Sequence, residues 1–357
     1  MTETHTSVQP NYAVATGEHI EEWMEDNGMN AAELARRLDV SPKHVSLLLR
    51  GKVALSAEIA LGLERVTGVP ARWWLGLEAL YQADKARLAA EADLAVQYPA
   101  ALAYPLKYLR QLGYIKASAR DHGGVVAGLL RFFGVADMQA IRPTWERGMV
   151  VYRKAAAAAP ASEHLMTWLR VGELKAPVSD LPAFDRSALE QLLPKLRALS
   201  LADPSTYVDK ATEMLAAVGV AICLVPEVPG LGVHGATRWV RGHPLIQLSL
   251  RGKTDDQLWF TLFHELGHVL LHPPDGLYLT DGDSKTEAEA DRFASDTLVP
   301  PALAHLLPKS RNLQAVRDFA QQIGVSPGVV LGRVQREMND FAWGQGLKVH
   351  FRFEFSG

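Results

Sequence analysis

The sequence predicts a mainly α-helical protein with one small β-sheet, in which an all-α N-terminal domain precedes an α+β domain. Three observations lead there. Short amphipathic helical patterns separated by cap and turn signals fill residues 16–80. Short β-rich runs, Val218 to Val225, Gly232 to Val240 and Leu245 to Leu250, are divided by Pro-Gly and Arg-Gly-His-Pro turns. Long helical patterns then run from Asp255 to Leu271 and from Thr286 to Val299. At roughly 150 residues per domain, 357 residues suggest two or three domains. The texture divides them into a tail over 1–13, an all-α domain over 14–90, a helical middle over 91–200, an α+β core over 201–305 and a closing segment over 306–357.

The N-terminal helices carry their own punctuation. Glu18 to Asp26 ends at Asn27-Gly28, and Asn30 caps Ala31 to Leu38. Ser41-Pro42 opens a third helix closed by Gly51, and Ser56 caps Ala57 to Thr67, which Gly68 ends. In the middle, Ala155 to Ala159 with Pro160 reads as a joint. Asp180-Leu181-Pro182 reads as a breaker, and Ser187 to Ser200 as another helix. A final helical pair and the alternation Val349, Phe351, Phe353, Phe355, a terminal strand, complete the chain.

Composition narrows the function classes. Hydrophobic residues at 48% and charged residues at 22% exclude wholesale disorder. The apolar runs read as too short for a bilayer span, and Met1 to Ala15 lacks the basic-then-apolar pattern of a secretory signal. One cysteine, Cys223, allows neither an internal disulfide nor a thiolate zinc cage, and reads as a buried small hydrophobe. A cytoplasmic protein is the expectation. A net charge of −3 excludes a globally basic nucleic-acid coat and leaves local patches open.

Residues Ala31 to Arg50 follow helix-turn-helix grammar. Small Ala35 sits where two helices approach, and Leu34, Leu38, Val40, Val45 and Leu48 supply the locking contacts. The turn holds Asp39, a residue that tolerates positive φ better than most. The helix beginning at Pro42 would offer Ser41, Lys43, His44 and Ser46 to a major groove, with Arg50 and Lys52 adding charge. Across residues 1–90, nine basic residues face twelve acidic ones, so a bundle for dimerisation or for gripping a protein stands beside DNA binding.

The stretches Glu33 to Leu38, Leu49 to Lys52 and Arg65 to Trp74 resemble the XRE-type helix-turn-helix of the HigA antitoxin family. That resemblance implies operator DNA, and a cognate toxin, as partners. Trp73 and Trp74 read as core and dimer-contact aromatics, and a homodimer is expected because such modules read paired half-sites.

Phe263-His264-Glu265-Leu266-Gly267-His268 carries the chemistry. One helical turn separates His264 from His268, so both imidazoles reach one cation, and Glu265 lies where it can take a proton from an attacking water. Zinc suits such nitrogen and oxygen ligands. Thr254 to Gln257 reads as a capping box that starts the helix. For a third ligand, His272 is roughly 12 Å along the axis from His264, too far to share the metal while the helix persists. Glu287, Asp291, Ala294 and Leu298 form an inward face, whereas Glu289 groups with Arg292 and Asp296. Glu287 is therefore the chosen ligand, Asp291 the acceptor that orients one histidine, and Glu289 the alternative ligand. Tyr278 and His234 are candidates for stabilising an oxyanion, and Leu245 to Leu250 is a candidate sheet edge for an extended substrate.

The segment from Glu287 to Pro300, following the His-Glu-Leu-Gly-His helix, resembles the ImmA/IrrE metallopeptidase family. Gly235-Ala-Thr-Arg-Trp and Leu245 to Arg251 are similar to members fused behind a HigA-like helix-turn-helix, with Asp291 standing where asparagine is common. The resemblance implies a zincin-like fold, a Zn²⁺ endopeptidase and a repressor or other regulatory protein as substrate, in stress, phage or toxin–antitoxin regulation. The competing expectation is a HigA-like DNA-binding antitoxin or repressor whose peptidase fold is a non-catalytic sensor or scaffold.

Residues 317–334 echo residues 32–49 at an offset of 285, aligning Ala35, Val40, Ser41, Pro42 and Val45 with Ala320, Val325, Ser326, Pro327 and Val330. A second helix-turn-helix-like unit follows from this, with Arg317, Arg333 and Arg336 nearby, serving either as a DNA contact or as a hairpin covering the core.

Overall fold

Side-chain caps start the second, third and fourth helices where the sequence placed them, and the first begins at Thr16, two residues before its expected start. In the computed structural model, which describes residues 12–145, 162–176, 178–249, 251–274, 276–279 and 285–352, α1 spans Thr16–Asp26, α2 Ala31–Leu38, α3 Pro42–Leu49 and α4 Ala57–Thr67. The side chains of Asn30, Ser41 and Ser56 accept from the N–H groups of Glu33, His44 and Ile59. Residues 1–11 of the tail expected over 1–13, the joint at Ala155 to Pro160, and Phe353 and Phe355 lie outside the described residues.

The chain resolves into two units, residues 1–99 with 117–127, and residues 100–116 with 128–357. In the first, a long α5, Ala71–Ala95, follows α4. Leu34, Ala35, Val45, Leu48, Leu63 and Trp74 form its core, while Trp73 stays 49% exposed with its ring edge-on to Trp74. Asp39 adopts φ 55°, the left-handed turn expected between the two helices.

The stretch His122–Trp145 corrects the expectation that every apolar run falls short of a bilayer span, because it reaches the length and a mean hydropathy of 1.4. Half of it is buried, and it breaks after α6, His122–Phe133, at Gly134 in the left-handed region. Val125, Val126, Leu129 and Ile141 within it are fully buried in the protein.

In the second unit, α7 (Ser162–Lys175), α8 (Arg186–Ala198) and α9 (Tyr207–Ala216) precede the sheet. Four strands, β1 (Ala221–Leu224), β2 (Gly235–Val240), β3 (His243–Leu248) and β4 (Leu277–Leu279), lie in the order β1-β3-β2-β4. β1 runs parallel to β3, and β2 is antiparallel to both β3 and β4. β3 is thus central. The expectation that Leu245 to Leu250 is an edge is corrected: the described edges are β1 and β4, because a parallel β1 pairs with the edge of β3 that a simple hairpin would leave open. Cys223 is half-buried on β1, less enclosed than its neighbours Ala221 and Ile222, and desolvation pushes its thiol up to about 12, as an inert residue requires.

α10, Asp255–Leu271, lies under the sheet, and α11, Lys285–Leu298, packs along it. The capping box expected at Thr254 does not form. The Thr254 hydroxyl points to the Gly252 carbonyl, and the N–H of Asp255 finds the Val349 carbonyl at 3.0 Å instead. The chain terminus, which bridges Thr254 through His350, therefore does what a cap would do.

The echoed segment forms α12 (Leu313–Ile323) and α13 (Pro327–Met338) joined at Gly324, φ 72°. Val316, Phe319, Ala320, Val325, Val330 and Val334 share one core with Leu258, Trp259, Leu262 and Leu266 of α10. The recurring positions behave alike: Ser326, like Ser41, caps the helix that begins at the next proline. The outer faces differ. Lys43 is exposed and His44 half-buried, whereas their counterparts Gly328 and Val329 are buried against α10. A Cβ at Gly328 or Gly332 would meet the carboxylates of Asp255 or Asp256 at 2.4 and 2.5 Å. The would-be base-reading face of the second unit is packing surface, so the hairpin covering the core is the reading the structure supports.

Candidate metal centre

Close approach of two helices makes the site. Gly267 lies against α11 so tightly that a Cβ there would meet the Cα of Ala290 at 3.1 Å and Phe293 at 3.2 Å. This brings Glu287 over the histidine face of α10. Nε2 of His268 sits 3.0 Å from Nε2 of His264, and the Glu287 carboxylate lies 3.1 Å from His264 and 3.3 Å from His268. One ligand atom from each of the three falls within 4.8 Å of the others.

Burial and charge shape these groups. His264, Glu265 and His268 are 0–1% exposed. Burial alone would lower the His264 pKa, but hydrogen bonds to Asp291 and Glu287, with the charge of Glu265, raise it to about 10. Burial raises the carboxyl of Glu287, yet hydrogen bonds to the two histidines outweigh it and leave its pKa lowered. Two imidazoles and a carboxylate facing one buried point hold a proton between them where a divalent cation would replace it. Nitrogen and oxygen donors in that number fit zinc.

Asp291 accepts from Nδ1 of His264 at 2.9 Å, and its other oxygen meets Arg336 of α13 at 3.0 Å. Glu289 is not turned towards the cluster. It pairs at 3.2 Å with Nε2 of His272, whose Nδ1 is 2.9 Å from Nδ1 of His268. His272, set aside as a ligand for its distance, therefore stands behind His268 instead. Of the two oxyanion candidates, Tyr278 stacks on the His268 ring at 4.7 Å and gives its hydroxyl to the Pro273 carbonyl, while His234 lines a cavity beside α10.

Sequence reasoning passed over two residues beside Glu265. Thr237 of β2 donates to a Glu265 carboxylate oxygen at 2.6 Å, and a Cβ on Gly235 would meet the other at 2.3 Å. Both lie in the Gly235-Ala-Thr stretch, and only the pairing of β2 over α10 reveals what they do. In the helix-turn-helix, Lys43 and Arg50 are exposed, Ser41 is used as a cap, and Arg50 donates to both the carbonyl and the hydroxyl of Ser46. Lys52 is exposed just beyond Gly51, in the turn that follows α3.

Comparisons with known proteins agree with this division. A family model described as the IrrE N-terminal-like domain, Peptidase_M78, matches residues 220–335, and one described as helix-turn-helix matches residues 20–74. The chain is 35% identical over 72 residues to the uncharacterized HTH-type transcriptional regulator YddM of Escherichia coli K12, covering 19% of this chain and 77% of that one. It is 34% identical over 70 residues to virulence-associated protein I of Dichelobacter nodosus, covering 19% of this chain and 65% of that protein. Among solved structures, Pseudomonas aeruginosa antitoxin HigA with the higBA promoter aligns at 28% identity over 23% of this chain and 90% of that one, with a TM-score of 0.22. The chain belongs to the XRE-type helix-turn-helix regulators and carries, behind that module, an IrrE/ImmA-like Peptidase_M78 domain.

Proposed function

We propose that the protein is a cytoplasmic DNA-binding regulator whose C-terminal domain is a zinc-dependent endopeptidase, cleaving a repressor or other regulatory protein in a stress, phage or toxin–antitoxin setting. The convergence of His264, His268 and Glu287 carries this reading, with Glu265 one residue away. Zinc, when bound there, supplies Lewis acidity to the scissile carbonyl. Glu265 takes the proton of the attacking water and returns it to the leaving amine. The Thr237 hydroxyl donates to one oxygen of Glu265 and so orients the carboxylate. Asp291 holds the His264 ring in the tautomer that turns Nε2 inward. Edge strand β4, which carries the Tyr278 ring stacked on His268, supports strand addition as the way an extended substrate binds.

At the other end, Ser41, Lys43, His44, Ser46, Arg50 and Lys52 are the proposed DNA-facing residues, with operator DNA, a second copy of the chain and a cognate toxin as proposed partners. A gel-shift series at rising salt is expected to show a steep loss of affinity, shallower in Lys43→Ala.

Mass spectrometry of a peptide library after incubation with zinc-loaded protein tests the hydrolase. New termini are expected with the native enzyme and none with Glu265→Gln of equal zinc content. Absence of cleavage by the native protein would favour the second reading, a HigA-like repressor with a metal-binding sensor, which the shared helix-turn-helix with transcriptional regulators supports. In that case regulation in cells survives Glu265→Gln and is lost in His264→Ala.

A further inference from the structure

We infer that Arg336 of the C-terminal hairpin is a positioning residue for the metal centre, acting on His264 through Asp291, which rests on reading His264, His268 and Glu287 as metal ligands. The two helix-turn-helix-like units differ by one turn of helix. At the shared offset of 285, the end of α3 at Leu49 corresponds to Val334, yet α13 continues to Met338. α13 thus has 12 residues where α3 has 8, and the added turn carries Arg336. In the first unit the same place is Gly51, in the left-handed region past the helix end.

The added turn reaches the centre. Nη2 of Arg336 donates to one oxygen of Asp291 at 3.0 Å, while the other oxygen accepts from Nδ1 of His264 at 2.9 Å. The guanidinium lies over the Phe260 ring, 5.3 Å from its centroid, so the donor is itself held in place. Phe260 stands one helical turn before His264, with the two ring centroids 6.4 Å apart. A carboxylate held at one oxygen can swing about its last bond, because that torsion is broad. Held at both, it meets the imidazole in one plane and fixes the direction of Nε2. A guanidinium suits this task, since its planar fork meets a carboxylate while its face stacks on an aromatic ring. An ammonium would keep the charge and lose the fork and the stacking plane.

The hairpin is anchored without this contact. Val329, Val330 and Val334 of α13 are buried in the core shared with α10, whereas the side chains of Arg336 and Asp291 are 55% and 37% exposed. An ion pair so open to water adds little to folding stability. Its effect falls on the ring it orients.

Metal binding by the full-length protein tests this without turnover. Competition with a chromophoric chelator reads zinc affinity, and the visible bands of the Co²⁺-loaded protein read the arrangement of the ligands. Asp291→Ala is expected to weaken zinc by about ten-fold or more. Arg336→Met, which keeps a stem over Phe260, is expected to weaken it by about two- to five-fold, the reach of an exposed ion pair. The same variant is expected to shift the Co²⁺ bands and leave the melting temperature of the metal-free protein nearly unchanged, with Arg336→Lys intermediate. In the Asp291→Ala background, Arg336→Met is expected to add no further loss. Zinc affinity and bands unmoved by Arg336→Met, or an equal loss in both backgrounds, would overturn the assignment. So would a lowered metal-free melting temperature with unmoved bands, the mark of a purely structural contact. Native protein that takes up neither metal would overturn the metal centre and this role together. Failure of the peptidase reading shows separately, as absence of cleavage by the native protein with these metal effects intact.

Discussion

At the scale of single residues, the candidate centre depends on atoms that are missing as much as on those present. Gly235 leaves the space that a Glu265 oxygen occupies, and a methyl group there would lie 2.3 Å from it. Gly235→Ala should displace the Glu265 carboxylate and destabilise the domain by about 1–3 kcal/mol, the usual cost of overpacking. Thermal unfolding reads the second effect and cleavage rate the first; an unchanged rate would show that Glu265 is not held by this contact. His272 makes a separate case. With His268 Nε2 turned inward, its Nδ1–H donates to His272, and the other His272 nitrogen donates to Glu289. His272→Phe keeps the ring against Tyr278 but removes the acceptor. Zinc affinity, measured by competition with a chromophoric chelator, should fall about 10- to 100-fold without loss of the apo fold.

At the scale of elements, one helix-turn-helix grammar is used twice with opposite outcomes. The same spacing of Ala, Ser-Pro and Val builds α2–α3 and α12–α13, because it encodes the contacts between the two helices and nothing of what lies outside them. The outward residues decide the rest. Lys43 corresponds to Gly328, and the glycine lets α13 lie directly on Asp255 of α10. Gly328→Lys should therefore cost the C-terminal unit several kcal/mol or its fold, since it buries a cation against a packed helix. Lys43→Gly should cost the N-terminal unit about 1 kcal/mol of helix propensity. Denaturant unfolding of the two variants checks the asymmetry. Equal losses would mean that α13 is as exposed as α3.

At the scale of the whole molecule, the buried ionisable groups set a pH window for the metal-free protein. The His264 pKa is raised from 6.5 to about 10, so its contribution to stability is complete below about pH 6.5 and is lost as pH climbs through 10. Glu287 and Asp291 have lowered pKa values, so their contributions are present above model values of 4.5 and 3.8 and are lost as pH falls through the folded values. Between about pH 5 and 6.5 all three stabilise together. Melting of chelator-treated protein should peak there relative to His264→Phe, and zinc should carry the maximum to higher pH because binding displaces the His264 proton. A difference between the two proteins that is flat from pH 5 to 10 would contradict the raised value.

Local rules explain how much was legible in advance. Caps such as Asn30, Ser41 and Ser56 and the left-handed Asp39 depend on neighbours within one helical turn, so the chain spells them out directly. So does the one-turn spacing of His264 and His268. The third ligand was chosen by asking which face of α11 turns inward, and the distances bring Glu287, not Glu289, to those rings. What the linear order did not reveal is non-local. Strand order, with β3 central, follows from a parallel β1 that arrives from a distant part of the chain. The start of α10 is satisfied by Val349, some ninety residues further on, so no local box was needed. Thr237, Gly235 and His272 acquire their roles only when β2 and α11 fold onto α10. The sequence by itself determined the helices, their ends and the paired histidines, because short-range sterics and hydrogen bonds decide those. Tertiary structure alone decided who stands behind each histidine, which strand is an edge and which helix-turn-helix keeps a free face, because burial depends on what packs against a surface and not on the surface's own residues.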